Sequence, residues 1–176
     1  MVTPLLMLVL LGVIDVSYAL LDQHVVTRLT REGANLISRD TTIEDAATAM
    51  QNMATSPVNF SSNSTLIFSV LHKGATVGSA NYNKTFVYQR YQFGAIAATS
   101  DIRTRGGGSF AGAPEYQATN PDGDTSLQVT NLPPNLTIDT GGFVYVTEIF
   151  TKHELLTPLD RLGVPVPSML YSIAYF

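Results

Sequence analysis

The sequence predicts an α+β fold in which one long N-terminal helix lies on an antiparallel β-sheet. Three observations predict it. From Met1 to Leu21 the only ionisable side chain is Asp15, and apolar positions then continue at helical spacing as far as Ile37. After Pro57 the periodicity changes from helical to alternating, in short β-branched and aromatic runs bounded by turn residues. No helical pattern separates those runs, and strands joined without crossover helices pair antiparallel.

The first helix opens at Thr3-Pro4, an N-cap residue followed by a proline suited to the first helical position. At about 1.5 Å of rise per residue, residues 1–21 span roughly 30 Å, enough to cross a bilayer. Leu5, Leu6, Leu8, Leu11, Gly12 and Ile14, with Asp15, mark this stretch as a membrane segment. A carboxylate at the bilayer centre costs about 2.5–3.5 kcal/mol, and if further apolar residues precede Met1, Asp15 shifts towards the outer interface, where it reaches water. Beyond Leu21 the helix becomes amphipathic. Val25, Leu29, Leu36 and Ile37, together with Val26 and Gly33, form the stripe expected to pack on the sheet. Gln23, His24, Thr27, Thr30 and Arg31 are expected on the opposite face, and Arg28 and Glu32 stand one turn apart, as an ion pair would.

A second, shorter helix follows. Thr41-Thr42-Ile43-Glu44 has the spacing of a capping box, Ile43, Ala46, Ala47, Met50 and Met53 supply an apolar stripe, and Ser56-Pro57 ends it. Five strands are then expected, at 66–71, 85–93, 126–130, 143–150 and 169–176, with loops at 81–84, 105–109 and 120–124. The expected organisation is a transmembrane segment at 1–21, a helical stem at 22–56 and a sheet head at 57–176.

Composition narrows the function. The net charge is −4 and the ten basic residues are scattered, so no basic stripe offers itself to nucleic acid. With no cysteine, disulfides, thiolate nucleophiles and thiolate metal sites are all excluded. Asn120, Asp122 and Asp124 have the spacing of the first calcium-loop ligands, but Thr125 stands where the loop glycine belongs and Asn131 where the bidentate glutamate belongs. A turn is the better reading. His153-Glu154 opens like a zinc-protease motif, yet Pro158 falls near the place of the second histidine. His24, His72 and His153 read as surface histidines, and Gly106-Gly107-Gly108, which no Gly-Lys-Ser/Thr closes, as a flexible loop. Glu148 with His153 is the least poor acid/base pair in the chain. No catalytic, metal or cofactor site is assigned, and no small-molecule substrate or nucleic acid is expected.

Residues 3–37, TPLLMLVLLGVIDVSYALLDQHVVTRLTREGANLI, resemble the TadE-like proteins of bacterial tight-adherence pilus assembly. The resemblance lies in a hydrophobic run ending at Gly12-Val13-Ile14-Asp15, then Val25-Val26-Thr27 and Arg31-Glu32-Gly33-Ala34. Residues 142–159, with Glu148, and the aromatic terminal stretch 169–176 are similar to the family's late strands. The resemblance implies a non-catalytic, pilin-like protein of the cytoplasmic membrane. Its first helix serves as anchor and assembly helix and its head lies outside the membrane, with pilus or pilin-like subunits and assembly machinery as partners. It also implies a basic leader, a processing region and an early glutamate ahead of Met1, so the coding sequence is expected to continue upstream in frame. Arg28, Arg31 and Arg39 after the apolar run would by themselves place the head in the cytoplasm, whereas the resemblance places it outside. The alternative reading is a soluble secreted binding module, released by cleavage after Ser17-Tyr18-Ala19 and beginning at Leu20.

Overall fold

A computed structural model describes residues 2–39, 41–154, 157 and 168–176, with the side chains of Val2, Pro4 and Leu5 outside that description. Helix α1 runs from Val2 to Ile37 without a break. Its 36 residues extend about 54 Å. Its last carbonyls are closed locally: Arg39 N–H and the Thr41 hydroxyl both donate to Leu36 O, and the Ser38 hydroxyl donates to Asn35 O. Helix α2 follows at Ile43–Met53 and buries Ile43, Ala46, Ala47 and Met50.

The capping residues of α2 sit one position later than the sequence pattern suggested. Thr42 is the N-cap, its hydroxyl oxygen accepting the Asp45 N–H at 3.1 Å, while Glu44 turns outward and accepts the Tyr116 hydroxyl at 2.7 Å. Asp45 therefore takes the place expected of Glu44. Replacing Thr42 with alanine is expected to lower stability by about 1 kcal/mol, read as a shift in the urea midpoint at unchanged slope.

The sheet has four strands, β1 (Ser64–Lys73), β2 (Thr85–Gly94), β3 (Phe143–Lys152) and β4 (Met169–Tyr175), in the order β2-β1-β3-β4 with every neighbour antiparallel. The α+β fold with its long apolar helix and antiparallel sheet is thus as the sequence predicts. The expected strand at 126–130 is not one. Thr125–Leu127 forms a 3-10 turn, and Gln128 and Val129 make only single bridges, to Phe86 and Thr104. The alternation in SLQVT reflects a cap on the outer edge of β2: Leu127 is buried, and the Gln128 side chain donates to Asn81 Oδ1 at 2.8 Å.

Strand β1 is central and reads as apolar on both faces because both are covered. Leu66, Phe68 and Val70 meet α1 and α2 in one core with Val26, Leu29, Ile37, Met50 and Ile149. On the other face Leu71, Val87, Val144 and Val146 pack under Ile102 and Ile138, which belong to the long connection between β2 and β3. Gly33 sets how closely α1 approaches the sheet. A Cβ there would lie 2.8 Å from Thr147 Cγ2 and 3.1 Å from Met50 Cε. In the exposed glycines at 106–108, a Cβ on Gly108 would overlap Leu127 and one on Gly106 would lie 2.9 Å from Ser126 Cβ, while Gly107 has open space; Gly107 and Gly108 both adopt positive φ.

Candidate functional site

Helix α1 changes surroundings partway along. On its first half, Leu6, Met7, Leu8, Val9, Leu10 and Val13 are exposed; they point in all directions around the axis. Leu11, Gly12 and Ile14 are half-buried, and a Cβ on Gly12 would meet nothing within 4 Å. The helix is long and apolar enough to cross a membrane.

From Asp15 onward the head takes hold of the helix through polar contacts. Asp15 is 1% exposed and accepts the Thr157 N–H at 3.2 Å and the Thr157 hydroxyl. The expectation that Asp15 reaches water is therefore corrected: its charge is met by donors from the segment after β3. Two turns on, Asp22 Oδ2 lies 2.9 Å from His153 Nδ1, which places the imidazole proton on that nitrogen. Next to it, the Gln23 amide donates to Tyr171 O at 3.0 Å. Three contacts thus clamp the helix to the β3 and β4 ends of the head.

Farther along, the helix surface sorts as follows. Leu29 and Ile37 are buried in the core and Leu36 packs against it half-buried, while Val25 is half-buried in a shallow hollow with Arg28, Leu29, Glu32 and Met53. Val26 and Ala34 are buried as well. Thr30, expected on the outer face, is fully buried and its hydroxyl donates to Val26 O at 2.7 Å. Arg28 and Glu32 form no ion pair; among the described residues the one such contact is His153–Asp22.

Two of the three histidines are not surface residues. His24 is exposed. His153 is buried against Asp22, and its Nε2 has no hydrogen-bond partner among the described residues. His72 is half-buried in an aromatic corner, stacked on Phe143 at 4.2 Å with Phe86 and Tyr88 edge-on, and its Nδ1 donates to Gly142 O at 3.1 Å.

Glu148 is the hub of the opposite face. It is fully buried and accepts from the Ser100 hydroxyl at 2.5 Å, the Asp101 N–H at 2.7 Å and the Tyr171 hydroxyl at 3.0 Å. Arg90 lies close by, held by Ser69, Ser100 and Ile102 O; burial lowers its pKa and the Glu148 charge raises it. This network pins the start of the β2–β3 connection to the sheet. Glu148 and His153 are bound to different partners, Glu148 to Ser100, Asp101 and Tyr171 and His153 to Asp22.

Tyr171 is pushed well above the usual tyrosine range, first by burial and then by the neighbouring Glu148 charge. Its protonated form is the one the fold favours. That contribution is fully present below about pH 10, the ordinary tyrosine value, and is lost as pH rises further. In an alkaline titration followed by phenolate absorbance, the Tyr171→Phe variant is expected to lack one late-ionising group and to lose less stability above pH 10.

Asn120, Asp122 and Asp124 are committed to the turn. Asn120 Oδ1 accepts the Gly123 N–H, Asp124 Oδ1 accepts the Ser126 N–H, and Asp122 Oδ2 accepts the Thr76 hydroxyl. Among the described residues no group of three His, Cys, Asp or Glu side chains is placed to hold a metal ion.

A sheet head clamped by polar contacts to one half of a helix, whose other half exposes apolar side chains all round, defines a helix-anchored head protein. Residues 1–35 match the family model for TadE, described as TadE-like protein. The matched stretch covers the exposed apolar half and the first part of the clamp, including Asp15 and Asp22. It points to a role connected with tight-adherence pili, and the apolar helix fits a membrane anchor. No curated protein matches the chain, and no solved structure does.

Proposed function

We propose that this chain is a membrane-anchored, pilin-like component of tight-adherence pilus assembly, structural and non-catalytic, with its head outside the cytoplasmic membrane. The observation that carries the reading is the coincidence of the family match with the exposed apolar half of α1. A helix with apolar residues on every side needs lipid or other helices around it, and pilus or pilin-like subunits would supply the latter. The residues proposed for that contact are Leu6, Leu8, Leu11, Gly12 and Ile14, with Leu5, whose side chain lies outside the described ones. Asp15 closes the apolar segment, and Thr157 supplies the donors its carboxylate needs. Release after Ala19 would remove Asp15 and leave the buried Thr157 N–H without its acceptor, which counts against the secreted-module alternative.

In the source organism, the full chain is expected to sediment with membranes, resist carbonate extraction, and expose its head to protease added outside the inner membrane. Deleting its gene is expected to abolish surface pili. A soluble mature protein beginning at Leu20, with piliation intact in the deletion strain, would overturn the reading.

A further inference from the structure

Helix α1 and strand β4 run side by side in the same direction. Gln23 bonds Tyr171 O, and Arg31, Ala34 and Asn35 line a groove with Ile173, Tyr175 and Phe176. The spacing agrees: Gln23 to Asn35 rises about 18 Å in a helix, and Tyr171 to Phe176 about 17 Å in a strand. Met169, two residues below Tyr171, therefore stands about 7 Å lower, level with Tyr18 and Ala19. The head thus reaches down to the apolar part of the helix.

The end of the head at that level comprises the start of β1, the end of β2, the end of β3 and the start of β4. Among the described residues it carries little charge. No Asp, Glu, Lys or Arg occurs in 46–72, 91–100 or 168–176, Asp22 is taken up by His153, and of the charged residues between β3 and β4, Asp160 and Arg161 lie outside the described residues. Exposed charge there is limited to Lys152 and Glu154 among the described residues, while the other end of the sheet bears Lys73, Lys84, Asp122, Asp124 and Asp139. At this end Met169 is 43% exposed, Tyr18 is exposed on the helix at about the same height, and Phe150 stacks on Tyr171 with ring centroids 4.6 Å apart. An exposed tyrosine, an exposed apolar side chain and a lysine at one level, with two half-buried rings about 7 Å above them, are a composition that settles in a headgroup layer.

We infer that this end of the head is a phospholipid-contacting surface, seated in the headgroup layer and continuous with the apolar surface of α1. The head then lies on the membrane and is not raised above it on a stalk. The inference rests on the membrane-anchor reading.

The chain has no tryptophan, so single-tryptophan reporters can be placed on a silent background. Four full-length variants serve: Met169→Trp and Ala97→Trp at the proposed surface, Leu8→Trp in the apolar helix, and Val77→Trp, 81% exposed at the far end of the sheet. Each is reconstituted in phosphatidylcholine/phosphatidylglycerol nanodiscs containing lipids brominated at shallow or deep acyl positions. Tryptophan at 169 and 97 is expected to emit blue-shifted and to be quenched at least twofold by shallow bromines, with position 77 unaffected and position 8 quenched by deep bromines. If 169 and 97 behave like 77 while 8 is quenched, the head stands off the membrane and the inference is overturned, the anchor reading surviving. If position 8 is also unquenched, the anchor reading fails and takes the inference with it.

Discussion

Replacing Glu148 with alanine is expected to cost about 3–5 kcal/mol, the penalty for removing one side of a buried charged network and leaving the other in place. The carboxylate has no access to water and accepts three hydrogen bonds, from Ser100, Asp101 and Tyr171. Without it those donors lose their acceptor and the half-buried Arg90 keeps its charge with no counterion beside it. Urea unfolding of the full chain in detergent gives the number. Glu148→Gln keeps the shape and one acceptor oxygen and should lose less, about 1–3 kcal/mol. Hydrogen exchange should place the damage in residues 99–103 and β2, with α1 and α2 still protected. A cost below about 1 kcal/mol for the alanine variant would mean that the carboxylate does not hold the connection to the sheet.

An effect of similar size is expected on the other face. Phe68 is fully buried at the centre of β1, between α1, α2 and the sheet. Its replacement by alanine removes a large aromatic side chain from a core that cannot collapse freely, since Gly33 already brings α1 into close approach with Thr147 and Met50. The expected loss is about 3–5 kcal/mol. Here hydrogen exchange should quicken in α2 and in α1 beyond Val26, while the Glu148 network stays protected. Identical exchange footprints for the two variants would show that the two faces do not open independently.

The parts of this fold that depend on nearby residues were legible in the sequence. Helical spacing in 2–37 and 43–53, and alternation in four of the five expected strands, carry their own evidence because neighbouring residues share a face. What was not legible depends on partners far along the chain. Asp22 meets a histidine 131 positions away, which turns His153 from a surface residue into a buried one. Residues 126–130 alternate like a strand, but the edge of β2 they cover is already limited to single bridges. The long β2–β3 connection has no period to read, since it covers a sheet face with isolated apolar residues such as Ile102 and Ile138. Even the cap of α2 moved by one residue, because Glu44 serves Tyr116 from a distant loop.

The separation between Asp15 and Thr157 also sets an order of events in time. The two residues are 142 positions apart. At a synthesis rate of about 5–20 residues per second, the aspartate leaves the ribosome roughly 7–28 s before its partner exists. During that interval the two Thr157 donors are missing from the carboxylate in the apolar helix. The last strand, β4, which receives Gln23, is made later still. Translation must therefore pass Thr157 and β4 before the first helix acquires these neighbours, and a chain truncated before Thr157 would lack both of those donors at Asp15.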